Sequence, residues 1–504
     1  MSYFKKGFKG SVIILLTSLL AALFGFLIRI FLANTISLEE YGLFYSMFTF
    51  FMFIGIFTTL GYGQSLIKFI PEFQVQKRKD LIDKTVLYVL IISLALRLIF
   101  IFAIVLLADY LTLNYFKVPL ARPMIYLFCI FFFINTFNSF MRAFFNAFQD
   151  MLKSGIIYFL RNFLTFIFII VFFYFGLFKG ALLPTYATIT SFALGVLIFV
   201  PFVLKKLKPI KSFLPFDKAL FKKLTLFAFP SLFTDIAGLV IGYIDTLMLT
   251  YFLTLDKVGI YNAVLPTALI IVNFSGAVYT VFFPMVSELW EKKLREKLKN
   301  AITLIYRYLL VLTIPFVLIL FAYSKTILRL LFGEAYVPGF LAMMILALGV
   351  ILISLAKVNF AFLSGIGKPA KVTKIMIVAA VFNVIFNLIL IPIIGIEGAA
   401  LTTTLSYALM LILSYLAIKK EAKITFPIKI FVKILLIALI FIGSIYLVKW
   451  LIADASIYIR IACSLGVALL IYVTLIFKLR IITWNDFKRL LYQSLPIDYL
   501  KRNR

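Results

Sequence analysis

Long apolar runs, separated by short polar or Gly- and Pro-containing breaks, fill almost the whole chain. A helix needs about 20 apolar residues to cross a hydrocarbon core of about 30 Å. Dividing the chain at charge clusters and Gly/Pro turns predicts fourteen such helices. They cover residues 10–34, 41–70, 84–108, 121–148, 154–178, 181–204, 222–253, 258–287, 301–322, 337–365, 372–393, 397–418, 428–449 and 457–478.

The composition supports a membrane protein. Of 504 residues, 64% are hydrophobic and only 14% are charged, whereas soluble domains are about half apolar and a quarter charged. Such a chain has too little polar surface for a soluble fold of this size. We therefore predict an all-α integral membrane protein. The first run shows no cleavage site, so we expect it to be retained as the first span.

Several functional classes find no support in the sequence. There is no histidine, and Cys129 and Cys463 both lie inside apolar runs, which is typical of buried thiols. No G-x-x-x-x-G-K-[ST] motif occurs, so the chain is not itself an ATP-driven pump. We expect no enzyme activity, no catalytic residues, no bound metal and no cofactor.

The basic residues orient the predicted spans. With a cytoplasmic N-terminus, inside segments carry 34 Lys and Arg and outside segments carry 7. This asymmetry predicts a cell (plasma or inner) membrane protein with both termini cytoplasmic. The net charge of +30 then reflects topology and contact with anionic lipids, and no nucleic-acid partner is required. The tail, residues 481–504, either lies flat on the inner leaflet or is solvated.

An internal repeat divides the chain. Tyr41-Gly42 and Val258-Gly259 each open an apolar run at an offset of 217, and Gly180-Ala181 and Gly398-Ala399 recur at 218. Six helices separate the copies, which predicts two parallel six-helix bundles around a central cavity, plus two extra C-terminal helices. The predicted parts are an N-lobe (1–205), a cytoplasmic linker (206–221), a C-lobe (222–420), helices 13 and 14 (421–480) and the basic tail (481–504).

Cations outnumber acids inside the predicted spans. A charge at mid-membrane costs at least about 2.5–3.5 kcal/mol, so it usually faces protein or water. The surplus predicts an anion-receptive cavity, and the planar fork of arginine suits phosphate. The candidate phosphate-binding residues are Arg29, Arg142, Arg161, Arg97, Lys357 and Lys68. Lys68 lies near a helix end, where its long stem can instead reach the interface.

Asp235 and Asp245 are the deep acids, both on the seventh predicted helix. Each could bind a coupling cation, or could pair with a basic residue, for instance Asp245 with Arg29. Asn383 and Asn387 lie one turn apart on the eleventh predicted helix, just before Pro392. We expect these amides to hydrogen-bond to a neighbouring helix, on a helix that is peripheral to the chemistry.

The motifs resemble those of polysaccharide-export flippases, which move lipid-linked sugars. The resemblance rests on Tyr41-Gly42-Leu43-Phe44, Lys68-Phe69-Ile70-Pro71-Glu72, Gly365-Ile366-Gly367-Lys368-Pro369, and the stretch from Asn383 to Ala400 that contains Pro392 and Gly398. These transporters belong to the multidrug/oligosaccharidyl-lipid/polysaccharide exporter superfamily. The resemblance spans residues 10–480 and is more specific for the superfamily than for a substrate.

The resemblance implies two six-helix bundles, a central cavity lined by helices 1, 2, 7 and 8, and a flippase branch with fourteen helices. It implies transfer of a polyprenyl-(pyro)phosphate-linked oligosaccharide from the cytoplasmic to the outer leaflet by alternating access. Related lipid II flippases carry cations on the first helix, where Arg29 lies. The expected partners are the lipid-linked sugar, membrane lipids, Na⁺ or H⁺, and other glycan-assembly proteins.

Two other functions compete with this interpretation. A cation-coupled multidrug extruder of the same superfamily would typically have twelve helices and an acidic cavity, which fits the basic surplus less well. A non-transporting scaffold for glycan assembly would need no charged cavity.

Overall fold

The computed structural model describes residues 3–207, 216–422 and 428–481; a few helix side chains, Asp235 among them, lie outside that description. The predictions for the tail beyond residue 481 and for half of the linker (208–215) also fall outside it. The helices are α1 (Tyr3–Ala33), α2 (Leu38–Thr59), α3 (Tyr62–Val75), α4 (Lys79–Leu106), α5 (Ala108–Tyr110), α6 (Ala121–Ala147), α7 (Met151–Tyr174), α8 (Leu182–Lys206), α9 (Lys218–Phe252), α10 (Leu255–Leu269), α11 (Val272–Glu291), α12 (Arg295–Phe332), α13 (Phe340–Gly365), α14 (Pro369–Ala422), α15 (Ile428–Leu451) and α16 (Ile457–Lys478).

The described part of the chain confirms an all-α membrane protein. Its only other regular elements are a π-helical turn, Leu111–Phe116, and a 3₁₀ turn, Glu334–Gly339. Among the described residues, eleven helices are long and apolar enough to cross a membrane. Helices suit hydrocarbon because each satisfies its backbone hydrogen bonds internally. The count of fourteen spans and the arrangement in two bundles of six plus two stay predictions.

Helix α14 is bent back on itself. Gly395 has a φ of +63° and Ile394 is also non-helical; glycine adopts this backbone at little cost because it has no Cβ. Asn383 Nδ2 donates to Thr403 Oγ1 at 3.3 Å, although a straight helix would place residues twenty apart about 30 Å from each other. The two arms therefore lie side by side, as the break between predicted helices 11 and 12 indicated.

Two predicted spans are each divided in the structure. The span 41–70 breaks where Leu60 and Gly61 both adopt positive φ, of 42° and 76°. The span 258–287 breaks between α10 and α11, shortly after Pro266. Continuous helices over these two ranges were therefore wrong predictions.

The repeat extends to the backbone. Helix α10 begins 217 residues after α2, α12 begins 216 after α4, and α13 ends 218 after α6. Positive φ recurs as well, at Lys77 and Lys293 and at Gln149 and Gly367. The sequence offset thus marks equivalent elements.

The residues cluster into two compact units. The first unit comprises Met1–Thr267, Leu328–Ala342 and Ala370–Leu409. Its largest described core is rich in phenylalanine and includes Phe69, Phe144 and Phe145. The second unit comprises Ala268–Ile327, Met343–Pro369 and Met410–Arg504. In it, α15 packs on α16, and Tyr472 Oη donates to the Val311 carbonyl at 2.9 Å. The predicted lobe boundaries stay a prediction.

A reciprocal glycine contact joins α2 to α10 within the first unit. A Cβ on Gly42 would lie 1.9 Å from the carbonyl oxygen of Leu255, and a Cβ on Gly259 would lie 2.7 Å from that of Leu38. Leu38 and Leu255, like the two glycines, are 217 residues apart. The contact therefore relates the starts of the two helices by a local two-fold symmetry, and it requires the absence of a side chain at both positions.

We expect Gly42→Ala to destabilise the protein by about 1–3 kcal/mol, because the added methyl group overpacks this contact. The matched control is Gly466→Ala in α16, where an added Cβ has no heavy atom within 4 Å. Thermal unfolding of both variants in detergent measures the difference. Equal stability of the two variants would contradict the close approach.

Asp150 caps the N-terminus of α7. Its carboxylate accepts from the Lys153 backbone N–H at 3.3 Å and from Lys153 Nζ at 2.6 Å, and Lys206 Nζ lies 3.7 Å away. Burial alone would raise the pKa of Asp150, but the hydrogen bonds from Lys153 and the charges of Lys153 and Lys206 hold the pKa below its ordinary value. The cap thus fixes the start of the helix that carries Arg161, one of the predicted site residues.

We expect Asp150→Ala to cost about 1 kcal/mol, the usual contribution of an N-cap. Asp150→Asn retains the capping oxygen and should lose only the charge contribution. Because the folded-state pKa is depressed, that contribution is complete above the unfolded value of about 3.9 and disappears as pH falls through the folded value. Unfolding of both variants at pH 7 and near pH 3.5 tests this; a wild-type advantage over Asp150→Asn that grows at low pH would refute it.

Candidate functional site

Arg29 reaches from α1 to α10. Its Nη1 donates to the backbone carbonyl of Asn262 at 2.7 Å, and its guanidinium lies 4.2 Å from the centroid of the Tyr45 ring. The Asn262 carbonyl is available because Pro266, four residues on, has no N–H to donate to it. The half-buried Arg29 is thus held by a dipole and an aromatic face.

Arg142 on α6 and Arg161 on α7 share one tyrosine. Both guanidinium carbons lie 4.9 Å from the centroid of the Tyr158 ring, and that of Arg161 also lies 5.0 Å from the Phe192 ring. Cation–π contacts of this kind offset only part of the cost of burying a cation. The Nε of Arg142 is buried without a hydrogen-bond partner, and the two like charges repel each other.

Tyr243 on α9 links Arg29 to Arg161 and to the tyrosine that Arg161 shares with Arg142. It interacts electrostatically with Arg161, Tyr158 and Arg29. We call Arg29, Arg142 and Arg161 the arginine cluster. No ion pair to a carboxylate is formed by any of its members within the described ranges. The cluster can therefore receive an anion, and its planar donors match the oxygen geometry of phosphate.

The other predicted cations each have their own surroundings in the described part of the chain. Arg97 is only 1% exposed and stacks at 3.8 Å on Phe132, with Nε and Nη1 unpartnered. Lys68 on α3 is exposed and lies 5.9 Å from the Phe227 ring. Lys357 is half-buried on α13 in the second unit. The assignment of these three to a phosphate site stays a prediction.

Asp245 on α9 is 2% exposed and is held by neutral donors. It accepts from Tyr261 Oη at 2.6 Å, Asn387 Nδ2 at 2.7 Å and Thr403 Oγ1 at 2.5 Å. In the described part of the chain no ion pair joins it to Arg29, so the predicted pair was wrong; each charge is instead satisfied by uncharged groups. The Asp235 side chain lies outside the described ones.

The two amides on α14 belong to this site. Asn387 also donates to Asn383 Oδ1 at 3.1 Å, and both residues are fully buried. Their bonds to Thr403 and Asp245 confirm the predicted contacts with neighbouring helices, and the contact with Asp245 places these amides beside one of the candidate site residues. The Oδ1 of Asn387 is buried without a partner. We call Asp245, Tyr261, Asn383, Asn387 and Thr403 the Asp245 site.

The arginine cluster and the Asp245 site occupy related places in the repeat. Asp245 follows Arg29 by 216 residues, and Tyr261 follows Tyr45 by the same number. Each charge contacts a tyrosine, Arg29 with Tyr45 and Asp245 with Tyr261. Both offsets are one residue short of the 217 that relates Gly42 to Gly259, so the two halves place charges of opposite sign at neighbouring positions of the repeat.

Sequence reasoning missed the tyrosines and Thr403. The tyrosines are hidden among 26 in the chain, and nothing in their spacing sets Tyr158, Tyr243 or Tyr261 apart. Thr403 carried a signal, because a hairpin centred near residue 394 places it level with Asn383 on the facing arm.

Comparisons with known proteins agree with this architecture. The sequence pattern of the family described as "Polysaccharide biosynthesis protein" matches residues 8–290, and the pattern described as "MatE" matches residues 230–389. An uncharacterized membrane protein of Methanocaldococcus jannaschii is 29% identical over 97% of this chain and 98% of its own length. The probable low-salt glycan biosynthesis flippase Agl15 of Haloferax volcanii is 26% identical over 52% of this chain and 55% of its own.

Solved structures share the fold at low sequence identity. The lipid II flippase MurJ, in an inward closed conformation, has a TM-score of 0.72 at 16% identity, covering 93% of this chain and 96% of its own. A multidrug resistance MATE family transporter, in an inward-facing conformation, scores 0.68 at 16% identity over 80% of this chain and 94% of its own. Since the first family pattern covers more than half of the sequence, the chain belongs to the polysaccharide biosynthesis protein family and is a multi-pass transporter of the multidrug/oligosaccharidyl-lipid/polysaccharide exporter superfamily.

Proposed function

We propose that the protein is a flippase for a polyprenyl-phosphate- or polyprenyl-pyrophosphate-linked oligosaccharide. It moves the lipid-linked sugar from the cytoplasmic to the outer leaflet for cell-surface polysaccharide or glycan export. The observation that carries this proposal is the arginine cluster, three buried or half-buried cations with no carboxylate partner in the described ranges. The names of Agl15 and MurJ, both flippases, support it.

The proposed mechanism separates the parts of the substrate. Arg29, Arg142 and Arg161 bind the phosphate head through charge-assisted hydrogen bonds, and the lipid tail stays in the bilayer. Alternating access then exposes the sugar on the other side of the membrane. The cluster provides charge without a strong competing internal partner, so the phosphate is not required to displace a carboxylate.

We infer that the Asp245 site binds the coupling ion, Na⁺ or H⁺. Its carboxylate and amide oxygens and the Thr403 hydroxyl oxygen are hard ligands suited to Na⁺, and protonation of Asp245 would neutralise the same buried charge. The unpartnered Oδ1 of Asn387 supports Na⁺, because rotation of the amide would turn that oxygen toward Asp245. In either case the ion removes an uncompensated charge from the helix bundle.

The proposal places the protein in the plasma membrane with both termini cytoplasmic, among other glycan-assembly proteins. The second candidate is a multidrug extruder, which the MatE pattern and the MATE-like fold favour. Cationic drugs would meet repulsion at the arginine cluster, so we rank this function below the flippase. A protein that served only as a scaffold for glycan assembly would not need the arginine cluster.

We expect Arg29→Glu to abolish flipping of lipid-linked oligosaccharide in proteoliposomes, since reversal places a carboxylate where the phosphate binds. Arg460→Glu is the control, because Arg460 lies in the first turns of α16. It should retain most activity. Equal losses in the two variants would count against the cluster as the phosphate site.

The same assay separates the competing functions. Wild-type protein that transports a cationic dye but leaves lipid-linked oligosaccharide in place is an extruder. A double variant, Arg29→Ala with Arg142→Ala, that retains glycan export in cells but loses assembly partners identifies a scaffold.

We expect Asp245→Asn to abolish the dependence of transport on a Na⁺ or H⁺ gradient, because the amide keeps the size of the side chain but has neither the negative charge that holds Na⁺ nor a group that accepts a proton at neutral pH. Transport in proteoliposomes with and without each gradient measures this. The matched control is Asp150→Asn, an acid in the turn before α7, which should leave the gradient dependence unchanged. Full gradient dependence in Asp245→Asn would eliminate Asp245 as the coupling site.

A further inference from the structure

Two adjacent residues of α10 contact both candidate sites. The Tyr261 hydroxyl donates to the Asp245 carboxylate at 2.6 Å. The next residue, Asn262, accepts from Arg29 Nη1 at 2.7 Å through its backbone carbonyl. Two consecutive residues of one helix thus contact the buried acid and one cation of the arginine cluster.

Pro266 leaves the backbone carbonyl of Asn262 without its usual helix donor. In a regular helix the N–H of residue 266 would donate to the Asn262 carbonyl, but proline has none. The carbonyl is nevertheless buried among helices, where an unpaired acceptor is costly. Arg29 supplies the missing donor, so the guanidinium is held in place by a defect in α10 rather than by an acid.

A second contact joins Asn262 to α9. Thr246, which follows Asp245, donates its hydroxyl to Asn262 Oδ1 at 3.4 Å. Asn262 Nδ2 donates in turn to the Val258 carbonyl at 3.0 Å. Asn262 is only 6% exposed, so its position is defined by packing and by hydrogen bonds on both faces. A shift of Asp245 or Tyr261 must therefore move the carbonyl to which Arg29 is bound.

We propose that Tyr261 and Asn262 are positioning residues that couple ion occupancy at Asp245 to the phosphate-binding state of Arg29. The inference rests on the proposed function, since it assigns an ion to one site and a phosphate to the other. A cation at Asp245 competes with the Tyr261 hydroxyl for the carboxylate. The resulting displacement of α10 draws the Asn262 carbonyl away from Arg29, and the released guanidinium binds phosphate.

The sign of the coupling follows from this sequence of events. The ion frees a donor for the phosphate and adds positive charge near it, so ion and phosphate each tighten the binding of the other. Thermodynamic linkage requires the two effects to be equal, and typical couplings lie between about fivefold and 150-fold. Direct electrostatic attraction between the ion and the phosphate acts through space and does not need Tyr261. Removing the Tyr261 hydroxyl therefore separates this attraction from the effect transmitted through α10.

The experiment measures binding of farnesyl phosphate to the full chain in detergent, with and without saturating Na⁺, and binding of Na⁺ with and without farnesyl phosphate. Farnesol serves as the ligand control without phosphate. Tyr261→Phe removes the contact with Asp245 and leaves the ring. Pro266→Ala restores the helix donor to Asn262 and competes with Arg29. Tyr306→Phe is the matched control, because Tyr306 is 1% exposed and donates to Asn359, a neutral acceptor.

We expect Na⁺ to tighten farnesyl phosphate binding at least about fivefold in wild type and in Tyr306→Phe, and less than about twofold in Tyr261→Phe and Pro266→Ala. Each ligand should still bind these two variants when the other is absent, which a merely misfolded protein would not allow. Undiminished coupling in both variants overturns the proposal. Wild-type binding of both ligands without mutual effect also overturns it and leaves the proposed function intact. If wild type does not bind farnesyl phosphate, the proposed function and this inference both fail. If it binds farnesyl phosphate but not Na⁺, only this inference fails.

Discussion

A buried charge among apolar helices must be satisfied within the protein, because hydrocarbon offers no hydrogen bonds. This constraint organises the first unit. Asp245 is satisfied by three neutral donors from α10 and the two arms of α14. The arginine cluster is satisfied less completely, by tyrosine faces and one backbone carbonyl. The acid thus has its hydrogen bonds satisfied but has no ion-pair partner among the described residues, whereas the cations have fewer hydrogen-bond partners.

The difference between the two sites depends on backbone features. The bend at Gly395 brings the arms of α14 together, so that Asn387 and Thr403 reach the same carboxylate. Pro266 removes a helix donor and exposes the carbonyl that Arg29 binds. In both cases a residue that breaks helix regularity creates the polar contact. Such breaks are tolerated in membranes where other groups restore the lost hydrogen bonds.

Hydropathy and charge asymmetry were sufficient to predict an all-helical membrane protein, because these properties are local sums along the chain. The repeat and the hairpin near Gly395 were also visible in the sequence, since turns need particular residues. The breaks after Thr59 and Leu269 were not, because glycine and proline, here Gly61 and Pro266, also occur inside continuous membrane helices. The site was predicted only in part. Arg29, Arg142 and Arg161 converge, but the paths of α1, α6 and α7 that bring them together depend on packing that no local pattern encodes.

The reciprocal contact between Gly42 and Gly259 has the symmetry of an isologous interface, the kind that joins two identical subunits of a dimer. In a dimer of identical chains, any substitution appears on both sides of the axis at once. In one chain with two copies of the element, each side can change alone. The glycines are the same in both copies, whereas Arg29 and Asp245, which lie within one residue of the repeat offset, carry opposite charges. Covalent fusion therefore permits a symmetric framework to hold an asymmetric pair of binding sites, which two identical subunits could not provide.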